Sequence, residues 1–426
     1  MIDTPRGVKA LLFQEAALKE RIERKVLALF ESWGFQRVET PAIEFLSELS
    51  KGLDEEGLRR IITFTDPAGG GKPLALRSDV TPQIARIAAT SLAGRPVPLR
   101  LCYAQTVYRS VRPGAGARME VSQAGVELIG PGAPEADAEM IAIAIESLRA
   151  VGFDQIKVAV SHIGYIKSTI AAAGLSSEDE ASIRKALTRK DPARISAVLD
   201  KAGAEGEARR AIEALPSLFG GYETLDKAPL VNEKAAESIS NLRDVLAVVE
   251  RYGLAGMVTV DLGESRGFGY YTGVTFEGFA KGVGKRALSG GRYDNLLAEY
   301  GAGRPAIGFA LDTDRVLDHF HRAGEPSGWS AADALVVGVS GSFMEAADLA
   351  RRLRDRGFRV ARDIVLRPLE ESVEYARKMK ITSVIVTGLE DTPSGSVRVI
   401  TTATGRERNM AVAELLSSSP GIPRDL

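Results

Sequence analysis

Between residues 14 and 33 apolar side chains return at steps of three and four (Leu18, Ile22, Val26, Leu29, Trp33), which predicts an amphipathic helix stopped by Gly34. Residues 35–44 read as a strand interrupted by Pro41. Proline cannot donate to a sheet ladder, so this run suits an edge or an interface. Residues 99–109 and 119–129 are β-rich and flank Pro113, Gly114 and Gly116, the pattern of a hairpin with a long tip. A helix is predicted over 134–150, closed by Gly152, and then a strand at 156–160. From about 164 to 250 the sequence turns helical and highly charged, with turn signals at Gly203, Pro216 and Gly220-Gly221. β-rich sequence resumes at Met257 and continues through 258–261 and 273–279, and 306–317 reads as a strand passing into a helix. The helical stretch therefore reads as an insertion into a sheet domain spanning 1–320.

Residues 321–333 form a linker containing Gly, Pro and Ser. Beyond it, 334–426 reads as a separate α/β unit: a buried strand at 334–339, a helix with Phe343, Ala347, Ala350 and Leu353 on one face, and a strand at 358–361. A helix at 370–380, strands at 382–388 and 396–402 and a final helix near 410–417 complete it. Strands alternating with helices imply a mostly parallel or mixed sheet with helices packed on it.

Apolar residues make up 45% of the 426, enough for real cores in two or three domains. Lys and Arg (55) balance Asp and Glu (56), so no global field points to nucleic acid or a membrane, and the C-terminal unit carries no basic stripe. The single cysteine, Cys102, excludes an internal disulfide and a Cys-rich zinc site; it lies in an apolar strand pattern and is assigned to packing. With no apolar signal core and no run near the length of a bilayer span, the chain is expected to be soluble and cytoplasmic. Three scattered histidines (His162, His319, His321) provide no metal cluster, no Walker loop or dinucleotide fingerprint is present, and no cofactor is expected. His162 reads as a packing or polar strand-end residue.

Three separated segments concentrate the candidate chemistry. The first is Leu76-Arg77-Ser78-Asp79-Val80-Thr81-Pro82-Gln83, where an anion and a hydroxyl follow an apolar run. An Asp–Thr pair at that place also suits a helix cap. In the second, Gln123 and Glu127 flank Gly125 on one strand face, because side chains alternate along a strand. The third contains Arg266-Gly267, Tyr270-Tyr271-Thr272-Gly273, Gly290-Gly291-Arg292-Tyr293-Asp294 and 308–315. In that order these segments resemble the catalytic core of histidyl-tRNA synthetase, a class II aminoacyl-tRNA synthetase. The resemblance implies an α+β fold: a class II synthetase-like antiparallel sheet with helices and a helical insertion, followed by an anticodon-binding-like α/β domain. It implies a dimer interface in the segment around Pro41. It also implies that Asp79, Thr81, Arg109, Gln123, Glu127, Arg266, Tyr270, Tyr271 and Tyr293 hold histidine: Asp79 and Gln123 at the amine, Arg266 at the carboxylate, the tyrosines around the imidazole. Arg109 matches the second class II motif arginine, which grips the α-phosphate.

The ATP side departs from that pattern. Val111 stands where the family has a glutamate, Met119 falls where the loop arginine is lost or shifted, and Val121 replaces the aromatic residue that stacks on adenine. Asp312 replaces a glycine that lets ATP approach the backbone. One branch resembles the chain more closely, the regulatory subunits of ATP phosphoribosyltransferase. It shares LRSDVTPQIAR at 76–86, and in the helical insertion ALTRKD at 186–191 and ALPSLFGG at 214–221. That branch implies no catalytic residues, a catalytic transferase chain as partner, self-association, L-histidine as effector and no tRNA. A histidyl-tRNA synthetase with an unusual ATP site is the alternative, kept open by the C-terminal unit.

Overall fold

The computed structural model describes residues 5, 7–51, 53, 55–67, 69–110, 118–267, 269–324, 329–365 and 367–417. The chain divides into two compact units, residues 1–325 and 326–426.

The first unit opens with helix α1 (Gln14–Ser32), whose buried positions are Leu18, Ile22, Val26 and Phe30, one every turn. Pro41 splits the following run. Strand β1 (Gln36–Arg37) pairs in parallel with a strand of the large sheet, and β2 (Ile43–Phe45) joins β3 (Ile62–Thr65) and β4 (Pro73–Leu76) in a separate three-stranded sheet. Short helices α2 (Leu46–Leu49) and α3 (Glu55–Arg60) lie between β2 and β3, and α4 (Thr81–Ala89) follows β4. The expected hairpin is β5 (Leu99–Tyr108) against β6 (Glu120–Ile129), antiparallel from Leu99↔Ile129 to Tyr108↔Glu120. Then come α5 (Pro134–Val151), closed by Gly152 in the left-handed region (φ 118°), and β7 (Ile156–His162).

The predominantly helical stretch comprises α6 (Ile163–Ala171), α7 (Ser177–Thr188), α8 (Pro192–Lys201), α9 (Gly206–Ala214) and α10 (Glu233–Arg251), with the two-residue strand β8 (Phe219–Gly220) between α9 and α10. It is not a detached module: Ile183, Ile195, Ile212, Leu242 and Val249 belong to the same buried cluster as α1, α5 and the sheet. Strands β9 (Val258–Asp261), β10 (Val274–Ala280), β11 (Leu288–Arg292) and β12 (Ala306–Asp312) and helix α11 (Thr313–Arg322) complete the unit. The nine-stranded sheet runs β1-β5-β6-β12-β11-β10-β7-β9-β8, antiparallel except for β1 with β5 and β7 with β9. On β6, Ala124, Val126 and Leu128 face the helical core, so strand alternation turns Gln123, Gly125 and Glu127 to the other side. That parity creates the site.

The second unit holds β13 (Ala334–Gly338), α12 (Phe343–Asp355), β14 (Val360–Arg362), α13 (Leu369–Lys378), β15 (Ser383–Thr387), β16 (Ser396–Thr401), β17 (Glu407–Ala411) and α14 (Val412–Ser417), with sheet order β14-β13-β15-β16-β17. Two expectations are corrected. The buried face of α12 runs through Ala346, Leu349, Ala350 and Leu353; Phe343 is its first residue and is 41% exposed. Residues 407–411 form a strand, paired with β16, where no strand was expected; its sequence, ERNMA, is mostly polar because its burial is confined to Met410. Among the described residues no helix is long and apolar enough to cross a membrane.

Candidate functional site

Asp79 is brought to the sheet by a buried arginine. Arg77 donates from Nε to the Thr106 carbonyl (2.7 Å) and from Nη1 to the Thr40 carbonyl (2.6 Å), which ties the end of β4 to β5. Thr40 in turn donates to Gln83 on α4 (2.6 Å), and Gln105 on β5 donates to the Thr40 carbonyl (3.1 Å). Asp79 Oδ1 accepts the Thr81 backbone N–H (3.2 Å), a local turn rather than a cap, since the N-cap position of α4 is Val80. Thr81 Oγ1 then donates to Glu127 Oε1 at 2.6 Å, linking α4 to β6.

The third segment arrives from the other side. Arg292 is buried against Asp137 of α5 (Nε to Oδ1, 2.9 Å), which anchors β11 and sets the next residue, Tyr293, whose hydroxyl donates to Glu127 Oε2. Burial outweighs the arginine at Asp137 and pushes its carboxyl up to about 6. Tyr270 packs against Tyr293 (ring centroids 5.4 Å) and edge-on against Tyr271 (5.1 Å). Two glycines are required here. A Cβ at Gly308 on β12 would overlap the Glu127 carboxylate, and Gly267, at φ 72°, lies directly under the Tyr271 ring.

The result is a cleft of about 1000 Å³ lined by Asp79, Thr81, Arg109, Gln123, Arg266, Tyr270, Tyr271 and Tyr293 among others, with Glu127 at its floor through Thr81 and Tyr293. Among the described residues, three buried polar atoms here make no hydrogen bond of good geometry: Gln123 Oε1, and Tyr103 Oη and Tyr270 Oη, which lie near the Thr81 hydroxyl. A buried polar group without a partner is costly, so such a trio makes this floor a candidate place for a polar ligand or a water. Arg266 lines the cleft with its charge already engaged. It is held by Glu264 (3.4 Å) and Glu277 (3.0 Å), and Arg286 donates to the same Glu277 at 2.6 Å. Arg109 reaches the Ser78 carbonyl from Nε (2.9 Å).

The cleft wall also contains residues that sequence reasoning missed: Arg60, Arg184, Lys185, Arg189 and Arg286, so that among the described lining residues Asp79 is the one carboxylate facing seven cations. They escaped notice because Arg184 and Lys185 come from α7 and Arg189 from its C-terminal cap, remote in sequence from the three segments of the site. A chamber of about 170 Å³ is lined by Tyr271, with Ser161 Oγ and Thr275 Oγ1 buried in its wall without partners among the described residues.

The positions read as altered on the ATP side have structural tasks. Asp312 caps α11, accepting the Arg315 N–H at 3.0 Å, and its carboxylate holds Arg315 Nε at 2.8 Å. Arg118 lies against Asp314 (3.3 Å) and Asp318 (2.6 Å). The Met119 carbonyl accepts the Arg109 N–H (2.8 Å), and Val121 pairs with Val107 in the ladder and packs on the cluster around Tyr103. Val111 lies outside the described residues.

Glu127 is the electrostatic centre of the floor. Burial pushes its carboxyl up to about 8; the Thr81 and Tyr293 hydroxyls oppose this, and Asp79 adds to it. With no ligand the group is therefore largely protonated at neutral pH. The unfolded chain releases that proton near the ordinary value of 4.5, while the folded chain keeps it to about 8. Between those values folding stability falls as pH rises, because the native state binds more protons. Glu127→Gln removes this titration. Its melting temperature relative to wild type should rise from pH 4.5 to pH 8, measured by calorimetry in ligand-free buffer; a constant difference would contradict the assignment.

The fold and cleft define a class: a class II synthetase-type domain with a polar cleft on its sheet, followed in the chain by an α/β unit. The histidyl-tRNA synthetase family model matches residues 7–316, and the anticodon binding domain model matches 333–418. Among curated relatives, the ATP phosphoribosyltransferase regulatory subunit of Syntrophotalea carbinolica is 40% identical over 97% of this chain and 96% of its own, and that of Geobacter sulfurreducens 37% over 97% and 94%. The chain belongs to the family of ATP phosphoribosyltransferase regulatory subunits. Among solved structures, a Bacillus halodurans protein described as an ATP phosphoribosyltransferase regulatory subunit/histidyl-tRNA synthetase superposes with a TM-score of 0.80 at 27% identity, covering 91% of this chain and 98% of that one. Histidyl-tRNA synthetase from Nostoc superposes at 0.81 with 22% identity over 98% of each chain, a likeness of fold.

Proposed function

We propose that this chain is the histidine-sensing regulatory subunit of a cytoplasmic ATP phosphoribosyltransferase, and that it forms no adenylate. In this reading Asp79, Thr81 and Gln123 hold the ammonium of free L-histidine. Glu127 with Tyr270, Tyr271 and Tyr293 surrounds the imidazole, and Arg266 or Arg109 takes the carboxylate. The observation that carries the reading is a contrast between two groups of side chains. Buried polar atoms at the amino-acid end await partners, whereas Arg315 and Arg118, on the side where a synthetase grips phosphates, are tied to carboxylates of this chain. Cations already neutralised by Asp312, Asp314 and Asp318 are poorly placed to stabilise charge developing on a transferring phosphoryl group. Binding then serves regulation: histidine stabilises one arrangement of a complex between this chain, as a homodimer, and a separate catalytic chain.

The purified chain should bind L-histidine in calorimetry and give no histidine-dependent exchange between ATP and pyrophosphate. The match of residues 333–418 to an anticodon binding domain favours a second reading, a histidyl-tRNA synthetase. Robust exchange, or charging of tRNA with histidine, would establish that reading and overturn ours.

A further inference from the structure

Two motifs of the helical stretch, residues 186–191 (whose Thr188 and Arg189 reach the cleft wall) and 214–221, meet at one carboxylate. Asp261, at the end of β9, receives Lys190 Nζ on both oxygens (2.9 and 2.7 Å). The same ammonium lies 5.8 Å over the ring of Phe219, whose strand β8 pairs with β9 at Asp261. Asp261 also accepts the Gly263 N–H (3.2 Å), so it closes the first turn of the loop that follows. That loop, 262–273, carries Arg266, Tyr270 and Tyr271. Two further ties reach it from the helices. Thr188 Oγ1 meets Ser265 Oγ at 2.9 Å, and Lys167 Nζ of α6 donates to the Tyr271 carbonyl at 2.9 Å. Ser265 is buried and donates onward to the Arg184 carbonyl of α7 at 3.3 Å.

We infer that Lys190 and Asp261 form a latch by which the α7–α8 turn positions the ligand loop, so that the helical stretch sets the affinity of the amino-acid pocket. The affinity half of this inference rests on the proposed function; the positional half does not. The ties fall at residues 261, 265 and 271, so that Arg266 and Tyr270 lie between two anchors and Tyr271 is held at its own carbonyl. Within the loop, Tyr270 and Tyr271 both donate to the Gly267 carbonyl and the Arg266 N–H donates to Glu264 (2.9 Å), while its ends are paired to the backbone at Leu262–Leu218 and Thr272–Arg292; the side-chain ties from the helices act on the stretch between those ends. The turn that presents the ammonium is unusual too, because Lys190 occupies the left-handed region at φ 52°, a conformation a side-chain-bearing residue keeps when surrounding contacts hold it there. Lys190 and Asp261 are thus positioning residues, acting on the pocket through the loop.

The experiment uses the full chain with Lys190→Met, which keeps the aliphatic length and removes the charge, Asp261→Asn, and Lys190→Arg as the conservative variant. Without ligand, hydrogen exchange across 262–273 should quicken roughly 10-fold in Lys190→Met and Asp261→Asn, while β5 and β6 keep their protection. If the loop is then competent about a tenth of the time, the Kd for L-histidine rises about 10-fold, and Lys190→Arg restores most of it. Unchanged exchange in 262–273, or a uniform rise through β5 and β6, overturns the latch. Faster loop exchange with an unaltered Kd overturns its control of affinity. A wild-type chain that binds no histidine refutes the sensing role instead, and the exchange comparison then decides the positional latch by itself.

Discussion

Mixed with a short catalytic ATP phosphoribosyltransferase chain from the same cell, the purified protein should elute in a complex larger than either component, and transferase turnover should rise on mixing. L-Histidine should suppress that turnover. The two effects are joined by linkage: if histidine prefers the inhibited arrangement, transferase substrates must weaken histidine binding to the complex by the same factor that histidine weakens theirs, a coupling of about 5- to 150-fold in typical cases. Calorimetric titration of histidine into the complex, with and without the transferase substrates, measures that factor. Two chains that neither co-elute nor alter transferase activity at micromolar concentration would defeat the regulatory assignment, however well the pocket binds its ligand.

The second large effect lies at the pocket floor. Asp79→Ala and Glu127→Ala should each weaken L-histidine binding by roughly 10- to 100-fold, since removing one buried partner of a charged group costs about 1–3 kcal/mol. The two variants should differ in what else they do. Asp79 is half-buried and its loss leaves the Thr81–Glu127–Tyr293 chain of hydroxyls and carboxyl intact. Removing Glu127 takes the shared acceptor from both hydroxyls and opens space above Gly308, so its melting temperature should fall further. Unchanged calorimetric binding in both variants would place the ligand elsewhere.

Much of this architecture was legible in the chain itself, for reasons that can be traced to single residues. Strand alternation placed Gln123 and Glu127 on one face, and Ala124, Val126 and Leu128 pack behind them as that parity demands. Pro41 marked an edge, although its full consequence, a run divided between two sheets, depends on partners far along the chain. What stayed hidden was non-local. The reading of Asp312 as an obstacle to ATP followed from the loss of a glycine. Its hold on Arg315 and its capping of α11 require knowing that a helix begins at Thr313. The cationic wall from α7 had no local signature, because charges on an amphipathic helix look alike whether they face water or a cleft. The ties of Arg266 to Glu264 and Glu277 were likewise invisible, since β10 supplies one of the partners.

Asp312 bears on the history of the site as well as on its chemistry. Glycine is itself an acceptable helix N-cap, within a few tenths of a kcal/mol of aspartate, so Asp312→Gly would be tolerated by the fold. Tolerance is not recovery. Arg315 would still donate from Nη1 to the Arg286 carbonyl (2.6 Å), and Arg118 would still be engaged by Asp314 and Asp318. Asp312→Gly by itself would therefore release neither of these two arginines from its remaining partners. Under the proposed function, restoring a glycine at 312 alone would not rebuild a phosphate grip, because the ion pairs that replaced it are shared among several carboxylates.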